Sequence, residues 1–153
     1  MIYRGKSLKW GKEAEIMNKE ELVKKAYEAQ KFSYSPYSNF QVGAALLAGS
    51  GKVYTGCNIE NAAYTPTNCA ERTAFFKAVS EGERSFTAIA VAGGAEDAKE
   101  LEYCSPCGVC RQVMMEFCDD QFQIILAKSE TEYQIFTLKE LMPMGFGPKN
   151  LEK

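Results

Sequence analysis

A chain of 153 residues with 46% apolar and 25% charged residues has the make-up of one globular domain, able to bury roughly two-thirds of its unfolded surface. The net charge of -2 and the pI near 5.4 argue against a nucleic-acid polymer as ligand, and no apolar run approaches the ~20 residues that span a bilayer. Histidine is absent, so proton transfer falls to carboxylates and metal binding to thiolates.

Residues 1–16 carry Arg4, Lys6, Lys9 and Lys12 without the apolar core of a secretory signal, which makes the cytoplasm the expected location. They read as an extension or tag, poorly ordered and at most packing Trp10 on the surface, ahead of a single domain over 17–153. Asn18 and Glu21 then have capping-box spacing, and Leu22, Val23, Ala26 and Tyr27 recur at helical intervals, predicting a helix over about 18–31.

Ser35-Pro36-Tyr37-Ser38-Asn39 is turn chemistry. It leads into Phe40–Ala48, a strand apolar on both faces. Gly49-Ser50-Gly51 supplies a hairpin turn, so Val53–Cys57 is expected to pair with that strand. Asn58–Pro66 is too polar for regular structure. Asn68 is placed to cap a helix running to about Ser80, on which Ala70, Ala74 and Ala78 allow close packing. Thr87–Ala92 is a third strand, ended by Gly93-Gly94. After an acidic loop, Pro106 precedes a helix over about 107–119, and Phe122–Ala127 and Tyr133–Thr137 are strands four and five. Leu138–Met142 gives a last short helix that Pro143 stops. Strands alternating with helices imply a sheet between helix layers, with right-handed crossovers between parallel strands.

Six cysteines, one pair of them spaced Cys107-x-x-Cys110, point to metal ligation rather than disulfides in a chain without a secretory signal. A catalytic zinc takes three protein ligands and keeps a fourth position for water, and Cys69, Cys107 and Cys110 supply three thiols at the starts of two helices. Helix N-termini favour thiolate over thiol there. Other arrangements stay open on spacing alone. Cys104, Cys107 and Cys110 with Cys69 or Cys118 would suit an iron–sulfur cluster, and a closed structural zinc could recruit Cys57, Cys104 or Cys118. Cys57 and Cys118 read most simply as buried small hydrophobes. Glu71 either bonds back to a cap at Asn68 or, two residues from a thiolate ligand, accepts a proton from water at the metal.

Cys69-Ala70-Glu71 followed by Pro106-Cys107-x-x-Cys110 resembles the zinc deaminase signature in its three-cysteine form. Phe40–Ala45, Gly56–Tyr64 and Cys69–Ala74 extend the resemblance to the small tetrameric cytidine deaminases, over about residues 17–147. The resemblance implies a three-layer α/β/α sandwich with a mixed five-stranded sheet. It also implies a Zn2+ held by Cys69, Cys107 and Cys110, and Glu71 as proton shuttle in the hydrolysis of cytidine and deoxycytidine to uridine and deoxyuridine. Phe40 is implied to pack on the pyrimidine, Asn58 and Glu60 to hold the ribose 3′-hydroxyl, and Ala70 to present its backbone to the base. Tyr64 and Phe146 match positions lining a neighbouring subunit's pocket in a homotetramer, and Arg72 matches an arginine that donates to the zinc-binding sulfurs. A deaminase of a related small molecule such as blasticidin S, or a non-catalytic zinc-stabilised binding module, are the alternatives.

Overall fold

The computed structural model describes residues 18–151. The expected extension over 1–16, with Trp10, lies outside the described residues. Five strands form one sheet in the order β2-β1-β3-β4-β5: β1 Phe40–Ala48, β2 Val53–Cys57, β3 Phe86–Ala95, β4 Gln123–Ala127 and β5 Tyr133–Thr137. Only β3 and β4 run parallel; the other neighbours are antiparallel, so the sheet is mixed as expected. The helices are α1 Lys19–Gln30, α2 Ala70–Ser80, α3 Gly108–Phe117 and α4 Leu138–Leu141.

Period-two alternation along the central strands sends successive residues to opposite faces, and each face carries its own core. Ala45 and Leu47 of β1, Ala88, Ala90 and Ala92 of β3, and Ile125 of β4 pack with Leu22, Val23 and Ala26 of α1. Ala44, Leu46, Ile89, Val91, Ile124 and Leu126 face the other way, onto Ala70, Ala74 and Phe75 of α2, Met114 of α3 and Leu138 of α4. These are three layers, with α1 alone on one side and the remaining helices on the other.

The hairpin forms as the pattern predicts, with Gly43 to Leu47 paired against Cys57 to Val53 and Gly51 at φ 87° in the turn. The forward half of the predicted capping box on α1 is present too: the Glu21 amide donates to Asn18 Oδ1 at 2.7 Å. Close approach of α2 is fixed at Gly56 of β2, where a Cβ would lie 2.4 Å from the Ala70 carbonyl oxygen and 2.6 Å from the Ala74 nitrogen. The helix backbone lies directly on the strand there, which sets the height of the α2 N-terminus over the sheet edge.

Two expectations are corrected. Strand β3 continues through Gly93 and Gly94 to Ala95, because Phe40, Gln41 and Val42 extend the pairing to that end. The glycines leave room for neighbours rather than turning the chain: a Cβ on Gly93 would meet Cys104 Sγ at 2.9 Å, and one on Gly94 would meet Leu101 Cδ2 at 2.5 Å. The cap of α2 is Cys69, not Asn68. Asn68 is held one step earlier by a two-way backbone bridge to Ile59, and its side chain donates to Thr73 Oγ1 at 3.2 Å.

Candidate active site and metal centre

Two helix starts converge on one point. Cys69 caps α2 and Cys107 caps α3, both with extended backbone, and neither sulfur makes a capping hydrogen bond. Their side chains therefore stay free for another partner, while the exposed N–H groups of both helices favour negative charge beside them. Cys110 completes the group from the first turn of α3, and the three Sγ atoms lie within 4.8 Å of one another. Cys69 Sγ and Cys107 Sγ are 3.8 Å apart. Thiolates about 2.3 Å from a tetrahedral zinc stand about 3.8 Å from each other, so this spacing fits such an ion.

No fourth ligand joins the group among the described residues. Cys104 sits half-buried against Gly93, its thiol pushed up to about 11 by burial, with the nearby Glu71 and Cys69 charges adding to the effect. Cys57 is half-buried rather than buried and donates to the Phe32 carbonyl at 3.3 Å, and Cys118, also half-buried, ends α3. The iron–sulfur and closed-zinc arrangements thus lack their fourth thiol.

The electrostatics of the bare triad are those of a site prepared for a cation. A hydrogen bond from Cys110, with further ones from Arg72 and Cys107, outweighs burial and lowers the Cys69 thiol to about 5. The same contact with Cys69, together with burial, pushes Cys110 upward, so the pair holds one proton. Arg72 Nη2 donates to Cys69 Sγ at 3.4 Å, and its Nε is buried with no partner. Burial opposes the guanidinium charge, but the sulfurs of Cys69 and Cys110 more than offset it.

Glu71, on the first turn of α2, is only 4% exposed. Burial raises its carboxyl to about 7; Cys69 adds to the rise, while its own backbone amide, Arg72 and Cys110 pull the other way. With α2 capped by Cys69, the reading of Glu71 as a capping-box partner of Asn68 does not hold.

At the start of β1, Glu60 Oε2 accepts from the amides of Tyr37 at 2.8 Å and Ser38 at 3.2 Å. A hydrogen bond from the Ser38 side chain leads the causes that lower its carboxyl, leaving it firmly ionised. Asn58 Oδ1 accepts from the Val42 amide at 2.8 Å and from Ser33 Oγ, and its Nδ2 donates to the Phe40 carbonyl at 2.8 Å. One Nδ2 hydrogen remains for a ligand. Phe40 opens β1 and is 41% exposed, Tyr64 stands in the loop at φ 61° with its ring edge-on to Tyr37, and Phe146 is exposed near the C-terminus. Ala70, fully buried, is the first residue of α2.

Three contributors were invisible in the sequence. Ser33 and the Tyr37–Ser38 amides orient Asn58 and Glu60, and only the turn signal at Ser35–Asn39 hinted at them. Arg111 lies beside Cys110 and ties three segments together, as described below.

The family model described as the cytidine and deoxycytidylate deaminase zinc-binding region matches residues 16–126, a stretch that contains all three clustered cysteines. The chain belongs to the cytidine and deoxycytidylate deaminase family. The cytidine deaminase of Sporosarcina psychrophila is 48% identical over 135 residues, covering 88% of this chain and 96% of that protein. That of Halalkalibacterium halodurans is 47% identical over 135 residues, covering 88% and 98%. The crystal structure of the cytidine deaminase from Burkholderia pseudomallei superposes with a TM-score of 0.77 at 42% identity, covering 85% of this chain and all of that one. The expected fold class is met, the cofactor of the deaminase site is zinc, and the chain is a zinc-dependent hydrolytic deaminase of this family.

Proposed function

We propose that the chain hydrolyses cytidine and deoxycytidine to uridine and deoxyuridine with release of ammonia, in pyrimidine salvage in the cytoplasm. The observation that carries this reading is a buried carboxyl, Glu71, raised toward neutrality two residues along the chain from Cys69, in a triad of thiols spaced for zinc. Cys69, Cys107 and Cys110 would hold the zinc, which would supply Lewis-acid activation of water at neutral pH. Glu71 takes one proton of the attacking water and passes it to the ring nitrogen beside the amino-bearing carbon. It then takes the remaining proton from the added hydroxyl and delivers it to the amine, which leaves as ammonia as the C–N bond breaks and the carbonyl forms. A carboxyl raised to about 7 by burial suits both directions of transfer.

Phe40 packs on the pyrimidine, and the Ala70 backbone meets the base. The Glu60 oxygen not used by the turn amides accepts from the ribose 3′-hydroxyl, with Asn58 Nδ2 donating. No residue of this set reads the 2′ position, hence the acceptance of both ribo- and deoxyribonucleoside. A homotetramer is supported by aromatic surface that a lone chain leaves in water: Phe32 is 79%, Tyr64 73% and Phe146 61% exposed. In it Tyr64 and Phe146 line a neighbouring pocket. Among the described residues no helix is long and apolar enough to cross a membrane, and all six cysteines are free thiols, which suits a reducing compartment.

The direct test is incubation of the zinc-loaded protein with cytidine, following ultraviolet loss and ammonia release. Turnover supports the proposal. Inactivity on cytidine and deoxycytidine, with turnover of blasticidin S or of nothing, overturns it.

Three thiolates would leave a bound dication with a net negative charge, which would make water there less acidic, and the Arg72 guanidinium donating to Cys69 Sγ would offset it. Arg72→Ala is therefore expected to retain zinc yet lower kcat, with the rising, acid limb of the pH profile displaced to higher pH. A kcat and pH profile equal to the parent's would show that Arg72 has no such role.

A further inference from the structure

Of the three sulfurs, Cys110 is buried, Cys69 half-buried and Cys107 exposed. Packing holds the first two in place. Cys107 precedes the helical residues of α3 and has little around it, so its direction depends on how the chain arrives from Ser105 and Pro106.

We infer that Arg111 is a positioning residue for the metal centre, clamping the Ser105-Pro106 approach to Cys107 and joining it to the end of α4. Its guanidinium donates from Nε to the Pro106 carbonyl at 2.7 Å, from Nη2 to Ser105 Oγ at 2.8 Å and from Nη1 to the Leu141 carbonyl at 2.6 Å. Its own backbone N–H donates to the Cys107 carbonyl at 3.0 Å. The peptide units on both sides of Cys107 Cα are thus held by one residue, one through its backbone and one through its side chain. That fixes the torsions that aim the Cys107 sulfur. Leu141 ends α4, where unpaired carbonyls and the helix dipole favour a cation, so the third contact anchors the clamp to a separate element. Gln112 continues the seam by donating to the Phe146 carbonyl at 2.8 Å.

Only a planar fork with several fixed donors reaches acceptors on three segments at once; an ammonium does not. Partners that orient metal ligands in this way are worth about 10- to 100-fold in metal affinity. The inference rests on the zinc site of the proposed function, but zinc binding is read without any substrate, so a wrong substrate leaves the test intact.

The experiment compares parent, Arg111→Ala, Arg111→Lys, Ser105→Ala and Val113→Ala by zinc transfer to a chromogenic chelator and by thermal unfolding of the zinc-loaded protein. Val113 packs on the core from the same helix and serves as the stability control. Arg111→Ala and Arg111→Lys are expected to release zinc about 10-fold or more faster, with Ser105→Ala intermediate. On cytidine, kcat falls with KM little changed. If Arg111→Ala does not fold, Arg111→Lys and Ser105→Ala carry the comparison. Release from Arg111→Lys within twofold of the parent overturns the inference, as does an equal gain in Val113→Ala at matched unfolding temperature.

Discussion

Glu71→Gln is expected to lower kcat on cytidine by about 10²- to 10⁴-fold while the protein folds and keeps its zinc. Glutamine has the shape of the carboxylic acid and can hydrogen-bond, but it cannot take a proton from water and give it up again. Nothing nearby substitutes. The chain has no histidine, and Glu71 is the one buried carboxyl among the described residues. The pH dependence should change with the rate. Catalysis starts from the ionised carboxyl, so kcat/KM in the parent rises with pH along an acid limb. Burial raises Glu71 to about 7 in the metal-free chain, and a neighbouring cation moves the limb below that value. The limb should vanish in the variant. Stability separates this outcome from misfolding. A carboxyl raised from 4.5 to about 7 on folding leaves the fold unpenalised below pH 4.5 and costs it about 3 kcal/mol above pH 7 in the metal-free chain. The metal-free variant should therefore unfold at higher denaturant than the metal-free parent at pH 8. An active Glu71→Gln enzyme would remove Glu71 from the chemistry.

Which parts of this site could be read in the chain alone follows from the range of the interactions that make them. The hairpin at Gly49–Gly51 and the helix start at Asn18 are local, involving residues within a few positions of each other, and both form where the pattern places them. The thiol triad was legible because helix starts bring Cys69, Cys107 and Cys110 into known geometries once a fold is assumed. Asn68 misled because its backbone is paired with Ile59, a partner nine residues away that helix rules do not see, while its side chain donates to Thr73 instead of capping. Gly93 and Gly94 misled similarly. Their lack of side chains serves Cys104 and Leu101, which arrive from a later loop, and not a turn at their own position. The three contacts of Arg111 span residues 105 to 141, and nothing in its immediate surroundings marks it apart from its place beside Cys110.

Removing the metal is expected to abolish activity and to expose a proton count that tests the triad directly. In the bare site Cys69 is lowered to about 5 by the Cys110 hydrogen bond, while Cys110 is pushed up and keeps its proton at pH 7. Three thiolate ligands require that proton to leave. Zinc titration of the metal-free chain at pH 7, followed calorimetrically in two buffers of different ionisation enthalpy, should show release of at least about one proton per chain. No release would mean that Cys110 does not ligate as thiolate. Acid reverses the binding. Protons compete for Cys110 throughout, and as pH falls through about 5 they also take Cys69, cancelling the charge that Arg72 faces. Zinc affinity should consequently drop steeply near pH 5. The same linkage sets the stability gap at neutral pH: zinc at 1,000 times its dissociation constant adds about 4 kcal/mol to the folded state. For a domain of this size that corresponds to a fall of roughly 10–15 °C in Tm on chelation. A Tm that does not move with chelator, in a protein that has demonstrably lost its zinc, would show that the unfolded chain binds the ion as tightly as the folded one, against a site assembled by the convergence of α2 and α3.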